Sequence, residues 1–292
     1  MIVPAAPQHA PDVADHYDEL DPVYRQLWGE HVHHGYWASG RETPQQAVEA
    51  LSDLVGERLG IASRAALVDI GCGYGATARR FAALRGAEVT GLTLSAAQAA
   101  AAPPCPGVTL LVRDWLASGL PADSFDGAYA IESSEHMVDK PAFFHEAARV
   151  LKPGGRLVVC AWLAAPDPQP WEVRHLLEPI CREGRLPSMG TAADYEGWAA
   201  QAGLLSLSAT DISHRVRRTW TICALRFLGA MIVDRRIRRL SLAARNRLFA
   251  LSVPRLILAY RTGAMRYGVF TWEKPAGASG APNPPVNRLT SS

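Results

Sequence analysis

The chain has 292 residues, 48% hydrophobic and 20% charged, with a formal net charge of +2. That is enough for a full core in one large domain, or in one domain with an insertion, and the near-neutral balance selects no partner. The five cysteines are widely spaced without a C-x-x-C pair, no run approaches the roughly 20 apolar residues of a membrane span, and no basic leader precedes an apolar stretch; these features argue against a disulfide scaffold, a zinc site, a membrane span and a signal peptide, and a cytoplasmic location is expected.

Residues 1–60 read as an N-terminal helical cap, largely helical from residue 12. Short apolar runs then alternate with helical patterns. Ala66–Ile70 is a buried strand and Ala76–Leu84 a helix. Ala87–Leu92 is a second strand, followed by the Ala-rich helix Ser95–Ala102, which starts at a Ser cap. Val108–Val112 and Phe125–Ile131 are the third and fourth strands. Pro141–Leu151 is a helix that stops before Lys152-Pro153-Gly154-Gly155, and Arg156–Trp162 is the fifth strand. Ala192–Ala202 is a helix ended by Gly203; Leu205–Ile212 and Tyr267–Trp272 are two more strands. Nearly all-apolar strands alternating with helices predict an α/β fold with a mostly parallel sheet of seven strands and helices on both faces. The expected division is a core over 61–214, a basic helical insertion over 215–266 acting as a lid, a last core strand over 267–275, and a Pro/Gly/Ser-rich disordered tail over 276–292.

The turn between the first strand and its helix, LVDIGCGYGATARR, carries Gly71, Gly73 and Gly75. Glycines serve where the backbone turns with positive φ or a ligand presses on the main chain, and a strand, a Gly-rich turn and a helix N-terminus form a cradle for adenosine-bearing cofactors. The spacing alone leaves NAD open. Asp69, two residues before the first glycine, discriminates: a carboxylate there repels a pyrophosphate and attracts a cationic ligand.

VDIGCGYG resembles the first motif of the class I S-adenosylmethionine-dependent methyltransferases. GLTLSAAQ at the end of the second strand, RDW after the third and LKPGGRLVV before the fifth agree in order and spacing. The segments YDEL…LWGEHVHHGYW, AIESSEHMVDK, QPWE and LAYRTGAMRYGVFTWEKP carry a closer resemblance to the γ-tocopherol methyltransferase-like branch, over residues 15–275; sterol C-methyltransferases and cyclopropane fatty-acid synthases resemble it more loosely. The resemblance implies a Rossmann-like sheet and S-adenosyl-L-methionine as cofactor. It implies that Tyr17, His34, Gly35 and Tyr36 line the methionine end of the cofactor, with Asp69, Gly71 and Gly73 at the loop. Most class I methyltransferases hold the ribose with an acid after the second strand. Here Thr93 and Leu94 stand in that place, and the resemblance to the branch implies that backbone and Gln98 replace the carboxylate. By the same resemblance Asp114 is expected to accept from the adenine amino group and Trp115 to flank the ring.

AIESSEHMVDK follows the fourth strand at the sheet edge where open α/β folds bind ligands. Methyl transfer is an in-line displacement that needs alignment and, for a protic acceptor, a base. His136 has a suitable pKa range, and Glu135 or Glu132 serves as base or orienter; a structural reading, in which Glu132 and His136 only hold the cofactor, weighs equally. His31, His33 and His34 lack a matching acid or Cys set, so no metal is expected. Residues 215–266 hold thirteen Arg and one acid, Asp234, with RRIRR over 235–239. A solvated helical face, membrane-surface docking and recognition of an anionic acceptor compete there; nucleic acid is not expected. The expected function is methylation of a hydrophobic or anionic small molecule in natural-product biosynthesis, first at carbon of an aromatic or prenylated acceptor, then at oxygen or nitrogen. A methyltransferase-like cyclase and an NAD-dependent oxidoreductase are the remaining alternatives.

Overall fold

Apolar runs without polar alternation need cover on both sides, and here five of them lie side by side. β1 (Ala66–Ile70), β2 (Glu88–Thr93), β3 (Val108–Val112), β4 (Phe125–Ile131) and β5 (Leu151–Ala164) pair in parallel. β6 (Leu205–Asp211) and β7 (Met265–Glu273) complete a seven-stranded sheet in the order β3-β2-β1-β4-β5-β7-β6, with β7 antiparallel to both neighbours. The computed structural model describes residues 1–4, 30–233, 235 and 247–276.

Helices cover both faces. α1 (Pro44–Leu59) starts at a Thr43–Gln46 capping box and stops at left-handed Gly60. With α2 (Ala76–Arg85) it buries Leu51, Val55 and Phe81 against one side of the sheet. α3 (Ala96–Ala101) is capped by Ser95, whose hydroxyl accepts from Gln98 N. α4 (Lys140–Val150) and α6 (Ala192–Gln201) cover the opposite side through Phe143, Phe144, Tyr195 and Ala199. Pro170–Glu172, Val173–Leu177 and Glu178–Glu183 run together as α5, which returns to the first side. Between β6 and β7 come α7 (Ser213–Val216), α8 (Arg218–Val233) and α9 (Arg247–Thr262). Buried Glu183 ties α5 to α9 by accepting from Ser252 Oγ at 2.6 Å and from the Arg255 guanidinium.

Two expectations need correction. Residues 30–43 of the predicted helical cap are not helical: His31–Trp37 is irregular, with a bend at His33. Its backbone is claimed elsewhere, with Gly35 N donating to Thr219 Oγ1 at 3.0 Å, Tyr36 N to Ala47 O at 2.7 Å and Trp37 N to Arg215 O at 3.0 Å. A Cβ on Gly35 would stand 2.6 Å from Ala47 Cβ, so only glycine permits this approach. The Lys152–Gly155 stretch, read as a break, lies within β5, because Gly154 N and Gly155 O bond Lys274 just past β7. Residues 5–29 of the lead-in, Asp234, residues 236–239 of the basic run and the tail from 277 onward lie outside the described residues.

The core beneath α4 and α6 is aromatic. Phe144, fully buried, meets Phe143 and Trp272 edge-on at centroid distances of 5.0 and 5.3 Å. Truncation would leave a cavity that these rigid rings cannot fill. Phe144→Ala should therefore cost about 3–5 kcal/mol, read as a lowered midpoint in urea denaturation.

Candidate active site

The C-terminal ends of β1, β2 and β4 open onto one groove. Its floor is the turn after β1, where Gly71, Gly73 and Gly75 all lie in the left-handed region (φ 78°, 54° and 69°). A Cβ on Gly71 would strike Ser133 Cβ at 2.4 Å, whereas one on Gly73 would find nothing nearer than Gln98 Oε1 at 3.9 Å. Gly71 is thus required by packing, and Gly73 leaves bare backbone facing the groove. The walls are Thr93, Leu94, Ser95 and Gln98 after β2, Arg113, Asp114 and Trp115 after β3, and Glu132, Ser133, His136 and Met137 after β4, with Val32 as cover. A second lobe, next to Gly71 and Gly73, is lined by Glu30, His31, His33, Asp69 and Thr77.

Local chemistry fixes these side chains. Thr93 Oγ1 accepts from Ser95 N at 3.2 Å and lies 3.3 Å from Gln98 Oε1, so the carboxamide stands where an acid was lacking. Asp114 Oδ1 caps Leu116 N at 2.9 Å. Trp115 is buried, with its indole N–H donating to Phe143 O at 3.2 Å, and so anchors in the core while lining the groove. Arg113 directs Nη1 to Ser118 O at 2.6 Å. Among the described residues the groove therefore offers Asp69, Asp114, Glu132 and, in the second lobe, Glu30, and its one guanidinium, Arg113, is engaged elsewhere. That balance suits a cationic adenosine ligand and opposes a pyrophosphate.

Glu132 is a non-glycine residue held in the left-handed region at φ 55°. Its carboxylate is buried and saturated: Oε1 accepts from His34 N at 2.6 Å and Tyr267 Oη at 2.8 Å, and Oε2 from His34 Nδ1 at 2.9 Å and Trp162 Nε1 at 2.8 Å. Burial pushes its pKa up, but the His34 contacts and neighbouring His33 outweigh this and hold it at about 2. Around His34 stand Trp162, Trp220, Tyr260 and Tyr267, at centroid distances of 5.1–5.9 Å.

The other titratable groups are set by burial. Asp69 keeps one partner, Tyr129 Oη at 2.9 Å, and is raised to about 7. Glu135 is also raised to about 7 by burial, although Trp162 N at 2.6 Å and Ser134 Oγ at 3.1 Å donate to it. Burial lowers His136 to about 4, with its Nδ1 3.4 Å from Arg185 O. Burial and mutual repulsion lower His31 to about 3, and burial lowers His33; His31 Nδ1 lies 3.1 Å from His33 Nε2, and His33 Nδ1 donates to His34 O at 2.9 Å. These two rings are neutral at pH 7.

The structure thus brings Asp69, Gly71, Gly73, Thr93, Leu94, Gln98, Asp114, Trp115, Glu132 and His136 to one groove. It does not bring Glu135 there, because that carboxylate faces the backbone of β5. His34, Gly35 and Tyr36 stand one layer behind. Val32, His31 and His33 are the cover instead, a shift the sequence signals only through the fixed backbone of Gly35. Tyr17 lies outside the described residues. Ser133 and Met137 were missed; the clue to Ser133 was Gly71, whose crowding needs a small partner after β4, and Met137 had no such signal.

A carboxyl whose folded pKa is raised stabilises the fold fully below its unfolded value, and that contribution is lost as pH rises to the folded value. Asp69 and Glu135 both lose it between about 4 and about 7. Asp69→Asn should gain thermal stability over the unsubstituted chain at pH 8 and lose that advantage by pH 4, as read by melting across the pH range.

A family model described as "Methyltransferase domain" matches residues 68–159. Chloroplastic tocopherol O-methyltransferase of Arabidopsis thaliana is 30% identical over 291 residues, covering 90% of this chain and 82% of that protein. The 27-O-demethylrifamycin SV methyltransferase of Amycolatopsis mediterranei is 34% identical over 226 residues, covering 75% of this chain and 82% of that protein. Among solved structures, the [4+2]-cyclase SpnF superposes with a TM-score of 0.75 at 27% identity, covering 94% of this chain and 99% of that one. A likeness of that extent to two methyltransferases, in a chain whose groove pairs a bare glycine turn with buried carboxylates, places this protein in the class I S-adenosylmethionine-dependent methyltransferases, close to the γ-tocopherol methyltransferase-like branch and with S-adenosylmethionine as its cofactor.

Proposed function

We propose that this methyltransferase transfers a methyl group to a hydroxyl oxygen of a hydrophobic natural product, with His136 as the proton acceptor. The observation that carries the reading is the pairing of His136 with the glycine turn in one groove, while Glu132 is saturated by four donors. Burial lowers His136 to about 4, which weakens it as a base but keeps it in the proton-accepting neutral form throughout the physiological range; its place in the groove recommends it. With Nδ1–H directed to Arg185 O, the lone pair sits on Nε2. The names of the two relatives also point to oxygen: one is an O-methyltransferase, and the other acts on a 27-O-demethylated rifamycin.

Bound in the groove, S-adenosylmethionine supplies an electrophilic methyl carbon on a sulfonium. Gly71 and Gly73 would bring their backbone to it, Gln98 and Asp114 would hold its ribose and adenine, and Trp115 would wall the ring. Asp69 faces its cationic end. His136 would take the hydroxyl proton as the oxygen–carbon bond forms and the methyl carbon–sulfur bond breaks, leaving S-adenosylhomocysteine as the departing thioether. Carbon methylation, the first expectation from sequence, needs no change in the cofactor residues and is decided by the product. The SpnF likeness favours a second reading, cyclisation of an acceptor without methyl transfer.

The test is incubation with carbon-13 methyl-labelled S-adenosylmethionine and a panel of hydrophobic phenols and polyketide alcohols, followed by NMR of the product. An O-methyl carbon shift is expected, with one S-adenosylhomocysteine released per product. A C-methyl shift overturns the oxygen assignment, and product without S-adenosylhomocysteine overturns methyl transfer. His136→Gln should lower kcat about 10²–10⁴-fold and leave S-adenosylhomocysteine affinity unchanged by calorimetry. Because a cationic ligand favours ionised Asp69, KM for S-adenosylmethionine should fall as pH rises through about 7, and Asp69→Asn should flatten that profile.

A further inference from the structure

α8 presents an uncovered face. Arg218, Thr221, Leu225, Leu228 and Ile232 recur at the spacing of one helical stripe, and all five are exposed. The apolar members are bare to an unusual degree: Leu225 64%, Leu228 58% and Ile232 77%. The opposite side of the same helix supplies Trp220 and Cys223 to the core, so α8 is apolar on the side facing solvent as well as inside. Such a stripe is a binding surface more often than chance exposure.

The stripe ends in a cavity of about 540 Å³ at the start of α8. Arg215, Arg217, Arg218 and Arg261 line it with His214, and among the described residues no carboxylate does. Two of the guanidiniums are fixed in place: Arg215 donates to Ala38 O and Arg218 to Gly40 O, and Arg218 also stacks over Trp37 at 4.8 Å. Held cations beside an apolar stripe on one helix face match a surface that is anionic at its headgroups and apolar beneath. Among the described residues no helix is long and apolar enough to cross a membrane.

We propose that α8 docks this protein on the surface of an anionic lipid bilayer, with Leu225, Leu228 and Ile232 entering the acyl boundary and the arginine cavity taking a lipid phosphate. The cavity also touches the catalytic end of the molecule. Tyr260 lines it and lies with its hydroxyl 3.4 Å from Nε2 of His34, which holds Glu132. Docking therefore sets the groove's rear wall against the membrane, the phase in which hydrophobic acceptors concentrate. Charge complementarity selects this occupant over a second copy of the chain, whose corresponding face carries the same positive charge.

The experiment is cosedimentation of the full chain with sucrose-loaded vesicles of phosphatidylcholine alone or with 30% phosphatidylglycerol, at about 50 and 500 mM salt. Binding to the anionic vesicles at low salt is expected, weakened at least about fivefold by high salt or by Arg217→Gln with Arg261→Gln. Leu225→Glu with Ile232→Glu should weaken it about tenfold or more. Unchanged S-adenosylhomocysteine affinity shows that each variant is folded. Absence of binding to anionic vesicles overturns the proposal, as does binding indifferent to both pairs of substitutions. So does protection of the cavity by free inorganic phosphate without vesicle binding. A dimer in light scattering that Leu225→Glu dissolves would assign the stripe to a second copy instead. No acceptor is used, so the outcome is independent of the oxygen-methylation reading.

Discussion

One buried carboxylate holds the working end of this protein together. Glu132 sits at the end of β4 in a backbone conformation that only glycine adopts cheaply. It is kept there by donors from three separate parts of the chain: the segment before α1, β5 and β7. Each donor is itself packed against His34 or its aromatic neighbours. An unpaired carboxylate at this depth would cost several kcal/mol. The geometry of the groove cover, the sheet and the helices beyond β6 is therefore specified jointly.

That arrangement divides the acids into two kinds. Glu132 is ionised and spent on structure, so its field is partly cancelled by oriented N–H and O–H dipoles. Asp69 has a single hydroxyl donor, and burial leaves it poised near neutrality. It has charge still to gain, and a cationic ligand would supply the reason to gain it. The neutral imidazoles of His31 and His33 in the same lobe add no repulsion. Selectivity for a sulfonium over a phosphate thus resides in which groups burial has discharged, and less in a count of charges.

Much of this was legible in the residues. The β1 run followed by three alternating glycines fixes strand, turn and helix, and each of the seven strands was found, although β5 starts earlier, at Leu151. The groove residues after β2 and β3 were legible too, because each follows its strand directly and has few conformational choices. Legibility failed where the determining contact is distant in sequence. His34 reads as a lining residue until Glu132, 98 positions on, draws it behind the wall. Glu135 reads as a base until the amide of Trp162 claims it. The irregular run at His31–Trp37 is decided by α1 and the helices beyond β6, which no local pattern announces.

The placement of β7 has a consequence for synthesis. β5 and β6 are not neighbours; β7 lies between them and hydrogen-bonds both. During translation the first five strands can associate as they emerge, but β6 has no partner until residues 265–273 have left the ribosome. Until then the nascent protein carries two raw sheet edges, on β5 and β6, that can pair with other chains. A stop codon anywhere in the helical segment beyond β6 would therefore release a polypeptide with most of its cofactor turn intact and an open template for aggregation, so that premature termination here yields a sticky product and not a merely shortened enzyme.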